Sequence, residues 1–418
     1  MNESTVGTGR TVSQGPARAE RTVVVYGAYG HTGRFVVAEL LDRGWTPVLS
    51  GRDADRLQAL AADHGGLDVR PATIDDPASL DRALSGASAV VNCAGPFAST
   101  AAPVIEAALR ARIPYVDVAA ELEAVADTFT RFADRAREAG TVIVPAMAFY
   151  GGLSDLLVSA ALGRDRSAAD EVLVAYALNS WHPTAGTRAS SRVSRQRRDG
   201  RRLLHTNGRL EFRTGEQPRS RWSFPEPVGE RSVVGEFTMA ESVTVPRHVR
   251  TGEIRTFMTV EAVNDLVSPD TPSPAAVDER GRSAQTFLVE VVVRSDGEER
   301  RAVARGRDIY AVTAPLAVEA VIRILDGRIG EGRINGDELI GGDGRITGSA
   351  GSASTGVAVS GVTAAGVGSN LVGSAGVGSA GELFDASDFL TSLSDSEGGR
   401  AGDFHWALTT PARTARES

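Results

Sequence analysis

Three glycines at intervals of three, Gly27, Gly30 and Gly33, stand between an apolar run, Thr22-Val-Val-Val-Tyr26, and a stretch of helical periodicity that reaches Leu41, with Gly44 behind it. A strand that turns straight into a helix has to be repeated, because one strand–helix pair leaves both apolar faces uncovered. The next residues do repeat it. Thr46–Ser50 reads as a second strand, and Asp53 is placed to cap a helix running to about Ala62. Asp68–Pro71 is a weaker third strand, and Asp76-Pro77 is an N-cap with proline at the first helical position. Ala89–Asn92, Tyr115–Asp117 and Thr141–Val144 read as three more strands, with helices expected around Pro103–Arg112 and over Leu122–Ala139. Such alternation implies right-handed crossovers and a parallel sheet. The class expected for residues 21–146 is therefore α/β, doubly wound.

After Pro145 the rhythm breaks. Strand-like runs occur at Glu171–Leu178, Ser242–Val245, Arg255–Val260, Thr286–Val293 and Gly306–Ala311, followed by a clear helix at Ala314–Leu325. An α+β second domain, supplying a substrate pocket, is expected over 147–330. Residues 331–382 form a low-complexity Gly/Ser/Ala insertion: Gly-Ser-Ala-Gly occurs at 348–351, 373–376 and 378–381, and flexibility is expected. An ordered pattern resumes at Leu383–Leu393 in a C-terminal segment, 383–418, whose end reads as loose. The polar residues 1–20 read as a disordered tail.

Composition removes whole classes of function. The net charge is −8, which argues against a nucleic-acid partner. The only cysteine is Cys93, so a disulfide framework and a multi-cysteine zinc site are excluded, and no metal site is expected. No apolar run is long enough to span a membrane, and Met1–Thr22 has no apolar signal core, so a cytoplasmic location is expected. The 45 basic residues are all arginine. Any mechanism that needs a lysine is thereby ruled out, including the Tyr-x-x-x-Lys pair and lysine-assisted amino-acid dehydrogenation.

The glycine turn points to a dinucleotide. Gly27 permits the tight turn, Gly30 lets backbone N–H groups approach a pyrophosphate, and Gly33 allows close helix–strand packing. Tyr29, His31 and Thr32 lie within the same turn as further candidate contacts. The second strand ends Ser50-Gly51-Arg52-Asp53. An acid there would favour NAD, and an arginine would favour NADP. Asp53 is better used as a helix cap, so Arg52, with Ser50 and Arg56 as helpers, favours NADP(H). Asn92, Ala94, Gly95 and Pro96 follow the fourth strand and are candidates to line the nicotinamide ribose and ring. Cys93 reads as packing.

These residues resemble the saccharopine dehydrogenase-like NADP-binding family, which includes trans-acting enoyl reductase-like proteins. The resemblance rests on Val25-Tyr-Gly-Ala-Tyr-Gly-His-Thr-Gly33, Leu49-Ser-Gly-Arg52, Asn92-Cys-Ala-Gly-Pro-Phe97, and Tyr115-Val-Asp117 with Glu121. It continues more diffusely through Pro145–Asp155, Gly186–Ser190 and Tyr310–Ala314. Ala120, Ala148 and Leu153 depart from the family's pattern on the substrate side. The resemblance implies a Rossmann domain, a second domain covering the nicotinamide, and NADPH-dependent reduction.

The expectation is an NADPH-dependent oxidoreductase that reduces an activated C=C, enoyl-type, or C=N bond of a small or carrier-linked metabolite. The alternative is a non-catalytic NADP(H)-binding sensor or scaffold. Without lysine, a proton has to come from His, Tyr, Asp, Glu or water. His182 is the leading candidate acid and Tyr150 the second, while Asp155 reads as a helix cap. Tyr115, Asp117 and Glu121 either orient substrate or order the loop, and the structural role is preferred. Arg188–Arg221 holds eleven arginines against Asp199, Glu211 and Glu216, either a solvated loop or a docking surface for an anionic, acyl-carrier-type substrate. A homodimer is the oligomer allowed for.

Overall fold

The computed structural model describes residues 21–163, 167–330, 375–394 and 404–409. The tail 1–20 and most of the low-complexity stretch lie outside the described residues. The alternating half forms as expected: β1 (Thr22–Tyr26), α1 (His31–Asp42), β2 (Thr46–Gly51), α2 (Ala54–Asp63), β3 (Val69–Pro71), α3 (Pro77–Leu84), β4 (Ala89–Asn92), α4 (Phe97–Ala111), β5 (Tyr115–Asp117), α5 (Leu122–Ala139) and β6 (Val142–Val144). These strands pair in parallel in the order β6-β5-β4-β1-β2-β3. The order reverses between β1 and β4, which opens a crevice beyond the carboxyl ends of those two strands. Val23, Val24 and Val25 are fully buried, so both faces of β1 are covered, as a central parallel strand requires.

One boundary differs. The fourth helix begins at Phe97, well before Pro103. Its first N–H groups have no local cap; instead the Glu121 carboxylate accepts from Phe97 N at 2.7 Å and Ala98 N at 3.0 Å. A cap supplied from 24 residues away leaves no local signal.

The second domain comprises α6 (Ser154–Leu162), β7 (Ala168–Leu178), α7 (Ala185–Arg197), β8 (Arg202–Thr206), β9 (Arg209–Arg213), β10 (Arg219–Ser223), β11 (Glu230–Gly235), α8 (Glu241–Thr244), β12 (Arg250–Thr259), α9 (Val260–Val267), β13 (Thr286–Ser295) and β14 (Glu298–Arg307). The chain then adds α10 (Thr313–Leu325), β15 (Gly376–Val377), α11 (Ala380–Leu383), α12 (Ala386–Ser394) and β16 (His405–Thr409). A nine-stranded sheet has the path β10-β11-β12-β7-β13-β14-β16, with β8 and β9 hung from β12. Only β7 and β12 run parallel among its described pairs. Asp296-Gly297, both at positive φ, makes the β13–β14 hairpin turn.

Four expectations are corrected. Ser242–Val245 is not a strand but the short helix α8 running into a turn at Val245–Arg247, where Pro246 has no N–H to give a sheet. The strand expected at Gly306–Ala311 ends at Arg307, because the Asp308 carboxylate folds the chain back by accepting from Tyr310 N and Ala311 N. The last part of the low-complexity stretch is ordered: β15 pairs with β6 as a seventh strand of the first sheet, and Ser379 with Glu382 forms a capping box on α11. The C-terminal end is not wholly loose either, since β16 pairs with β14. Among the described residues, no helix is long and apolar enough to cross a membrane.

Helix α10, expected in the second domain, packs against α1 of the first. A nearly buried ion network fixes it there. Arg43 meets Glu39 at 2.6 Å and Glu319 at 2.5 Å, while Glu319 also holds Arg323 at 2.7 Å and Arg323 reaches Asp388 of α12 at 2.7 Å. Glu319→Ala leaves two buried guanidinium groups short of a partner. It should lower the unfolding free energy by about 3 kcal/mol, read as an earlier urea midpoint; an unchanged midpoint would show the network to be dispensable.

Candidate active site

One cleft of about 870 Å³ runs from the glycine turn to the second domain. Its floor is the β1–α1 turn. Gly27 sits at φ +86°, and a Cβ there would lie 2.9 Å from Ala94 N, against the neighbouring strand. A Cβ on Gly33 would collide with the Gly27 carbonyl oxygen, which the close helix approach puts in that space. Gly30 N-caps α1 with no side-chain bond to the first turn. Gly27, Tyr29, Gly30, His31 and Thr32 all line the cleft, whereas Gly33 works by packing. Backbone N–H groups at the start of α1 thus face a space that side chains at the glycines would fill, and this cradle fits a dinucleotide pyrophosphate.

At the end of β2 the candidate residues separate. Arg52 lines the cleft, is exposed, and has no ion-pair partner among the described residues. Asp53 caps α2, accepting from Arg56 N at 3.1 Å, so it is occupied as expected. Arg56 lies over the Tyr29 ring at 4.4 Å, and that ring packs on Gly51. Ser50 does not reach the cleft: it is fully buried, and its hydroxyl donates to the Arg70 carbonyl at 2.8 Å. Thr73, Ile74 and Asp75, just beyond β3, line the same end and carried no motif in the sequence.

The β4–α4 loop holds the middle of the cleft. Cys93, Ala94, Gly95 and Pro96 line it, but Asn92 lies beneath. Asn92 is fully buried; its amide donates to Tyr115 Oη at 3.1 Å, and its carbonyl oxygen accepts from Ala94 N at 3.0 Å. Tyr115 in turn donates to Asp117 at 2.9 Å, and Asp117 accepts from Ala119 N and Ala146 N. Burial lifts the Asp117 carboxyl to about 6. Tyr115, Asp117 and Glu121 therefore order the loops, as read from the sequence. Burial also raises the Cys93 thiol, which suits a packing residue and not a nucleophile.

The far end is aromatic. Phe149, Tyr150, Trp181, Phe237, Met239 and Tyr310 line it. Tyr150 sits in the irregular turn Phe149–Leu153, where Gly151 at φ +97° lets the chain reverse against Ala146. Its ring lies 5.1 Å from Trp181, and its hydroxyl is buried with no hydrogen-bond partner among the described residues. Burial, then Tyr310 and Glu241, hold that hydroxyl well above the ordinary tyrosine range, so it keeps its proton.

His182 is not in the cleft. Proline follows it, and its backbone carbonyl accepts from Tyr310 Oη at 3.2 Å. Asp155 does not cap the helix start. It is fully buried between His248 Nε2 at 2.7 Å and Gly381 N at 2.7 Å, holding α11 to the core. Tyr310 is the residue that sequence reasoning missed, although it heads a quoted segment. Its hydroxyl meets Thr187 Oγ1 at 3.0 Å, and its ring stands edge-on to His31 at 5.1 Å, so it joins the two domains across the cleft. His31 Nε2 is buried without a partner among the described residues, and burial lowers its proton affinity.

Residues 23–144 match the family model described as the saccharopine dehydrogenase NADP binding domain. The first domain is similar to that family over this range. Such a domain takes NADP(H), and the unpaired guanidinium of Arg52 beside the cradle suits a 2′-phosphate. A probable mitochondrial saccharopine dehydrogenase-like oxidoreductase of Arabidopsis thaliana is 32% identical over 142 residues, 30% of this chain and 31% of that protein. A trans-acting enoyl reductase of Mycobacterium bovis is 28% identical over 149 residues, 34% of this chain and 36% of that protein. The matches thus span about a third of the length of these relatives. The saccharopine dehydrogenase (L-Glu forming) structure of Saccharomyces cerevisiae covers 93% of this chain and 100% of its own at a TM-score of 0.55, with 12% identity, which establishes a shared fold.

Arg52→Ala should weaken NADPH binding by about tenfold to a hundredfold, the value of a hydrogen bond to a charged group, and leave NADH binding unchanged. Parallel calorimetric titrations check this; equal losses for both nucleotides would remove the 2′-phosphate assignment.

Proposed function

We propose that the chain is an NADPH-dependent oxidoreductase that reduces an activated double bond. An α,β-unsaturated acyl group is preferred over an imine because of the enoyl reductase relative. The observation that carries this reading is the buried, unpartnered Tyr150 hydroxyl in the same cleft as the glycine cradle. A donor kept dry and unbonded stands ready for a group that arrives with the substrate. When bound, NADPH supplies the hydride. The protein's part is to exclude water with Phe149, Trp181 and Tyr310, to hold the double bond against the aromatic wall, and to give the Tyr150 Oη proton to the atom left electron-rich. With no lysine in the chain, nothing lowers that hydroxyl's affinity for its proton, and Tyr150 acts as a neutral acid. A cofactor-binding sensor would have no need of a dry donor at this place.

The test is NADPH oxidation against enoyl thioesters, imines and ketones. Tyr150→Phe should lower kcat about a hundredfold, within the usual range for a general acid, with the NADPH dissociation constant unchanged. Because the hydroxyl is held above its ordinary value of 10, Tyr150 should produce no alkaline loss of kcat below about pH 10. Full activity in the Phe variant would remove Tyr150 from the mechanism, and NADPH binding without oxidation of any substrate class would favour the sensor.

A further inference from the structure

We propose that the cleft recognises an anionic group on the substrate, a phosphate ester or a carboxylate, through Arg195 at the end remote from Arg52. The proposal rests on the reductase reading and adds the substrate's chemical class.

Most arginines around α7 already have partners. Arg188 donates to the carbonyls of Ser268 and Thr271 at 3.2 and 2.7 Å. Arg197 pairs with Asp127 at 2.7 Å, Arg198 with Glu123, and Arg202 with Glu236 at 2.7 Å. Ser194 also donates to Glu123, at 2.7 Å. These neighbouring acids are therefore occupied. Arg195 lies among them on the cleft-lining side of α7, exposed, and has no ion-pair partner among the described residues. α7 itself carries no acidic residue.

Lining acids do not neutralise it either. The described lining has two carboxylates, Asp75 and Glu121. Glu121 caps α4, and Asp75 follows β3 at the adenosine end. Glu123 and Glu236 balance Arg198 and Arg202, so Arg195 is the charge left without an ion-pair partner there among the described residues, with the hydroxyls of Ser190 and Ser191 beside it in the cleft wall.

Distance separates this charge from the one assigned to the cofactor. Arg198 and Arg197 tie α7 to α5, which follows β5, whereas Arg52 ends β2. In the order β5-β4-β1-β2, the strands that lead to these two anchors are three spacings apart, about 14 Å. A 2′-phosphate at Arg52 therefore leaves Arg195 uncompensated. The aromatic wall with Tyr150 lies in the same cleft, so a substrate anchored at Arg195 by its anion can present an apolar double bond to Tyr150. An arginine in a partly enclosed wall binds such groups bidentately, which a lysine would not reproduce.

The test is calorimetric titration of the full chain, saturated with NADPH, with 4′-phosphopantetheine, neutral pantetheine and glutarate. Wild-type protein should bind at least one of the two anions and bind pantetheine at least tenfold more weakly. Arg195→Ala should weaken the anion at least tenfold, Arg195→Glu should weaken it further, and NADPH affinity should stay unchanged in both. Binding of 4′-phosphopantetheine assigns the anion to a carrier-type phosphate, and binding of glutarate alone assigns it to a free carboxylate; both support the proposal. Failure of both anions on an NADPH-saturated chain, equal binding of pantetheine, or an unaltered anion constant in Arg195→Ala would overturn it. Absence of NADPH binding would fall on the reductase reading instead, and the anion titrations without nucleotide would then decide the role of Arg195 alone.

Discussion

At the start of α1 the Gly27 carbonyl oxygen occupies the space where a side chain of residue 33 would stand, while Gly27 itself is pressed against Ala94. Helix, first strand and fourth strand meet there with no atoms to spare. That contact sets the angle at which α1 leaves the sheet, and so aims its N-terminal amides into the crevice between β1 and β4. The direction of α1 fixes Arg43 and through it the seat of α10. Because α10 follows Tyr310 closely, the same contact also determines where the second domain's aromatic wall faces the cradle.

The two ends of the cleft are built by different physics. The nucleotide end is backbone, glycine and a solvated guanidinium, and it suits a ligand rich in charge. The opposite end is made of rings whose hydroxyls are either bonded, as Tyr310 is to Thr187, or without a partner among the described residues, as in Tyr150. Buried oxygens without partners are costly, and under the proposed reduction the arriving substrate would offset that cost. Loop order between the ends comes from Asn92, Tyr115, Asp117 and Glu121, each bonded to a backbone or a neighbour and none free to react.

Much of the first domain was legible because period and punctuation agree there. Gly27, Asp53 and Asp76-Pro77 sit where local chemistry alone demands them, and Asp53 indeed caps α2. What stayed hidden depended on distant partners. Ser50 and Asn92 look like cleft residues by position, but the alternation of a strand turns their side chains inward. His182 sits in the right loop, yet the chain around it offers Trp181 and Thr184 to the cleft instead. Asp155 resembles a cap until His248 and Gly381 arrive from 93 and 226 residues away. The basic segment left solvated loop and docking surface both open because acids that pair with it, Glu123, Asp127 and Glu236, lie outside it in the chain.

The strand Gly376–Val377 lies at the rim of the first sheet, though it is encoded after every strand of the second sheet but β16. On a ribosome, the edge of β6 is therefore made early and covered late. Until Gly376 and Val377 emerge, a nascent chain carries an open row of backbone donors and acceptors, the kind of border along which chains stick to one another. The order of synthesis thus leaves a window for chaperone capture that closes only after most of the second sheet has been made.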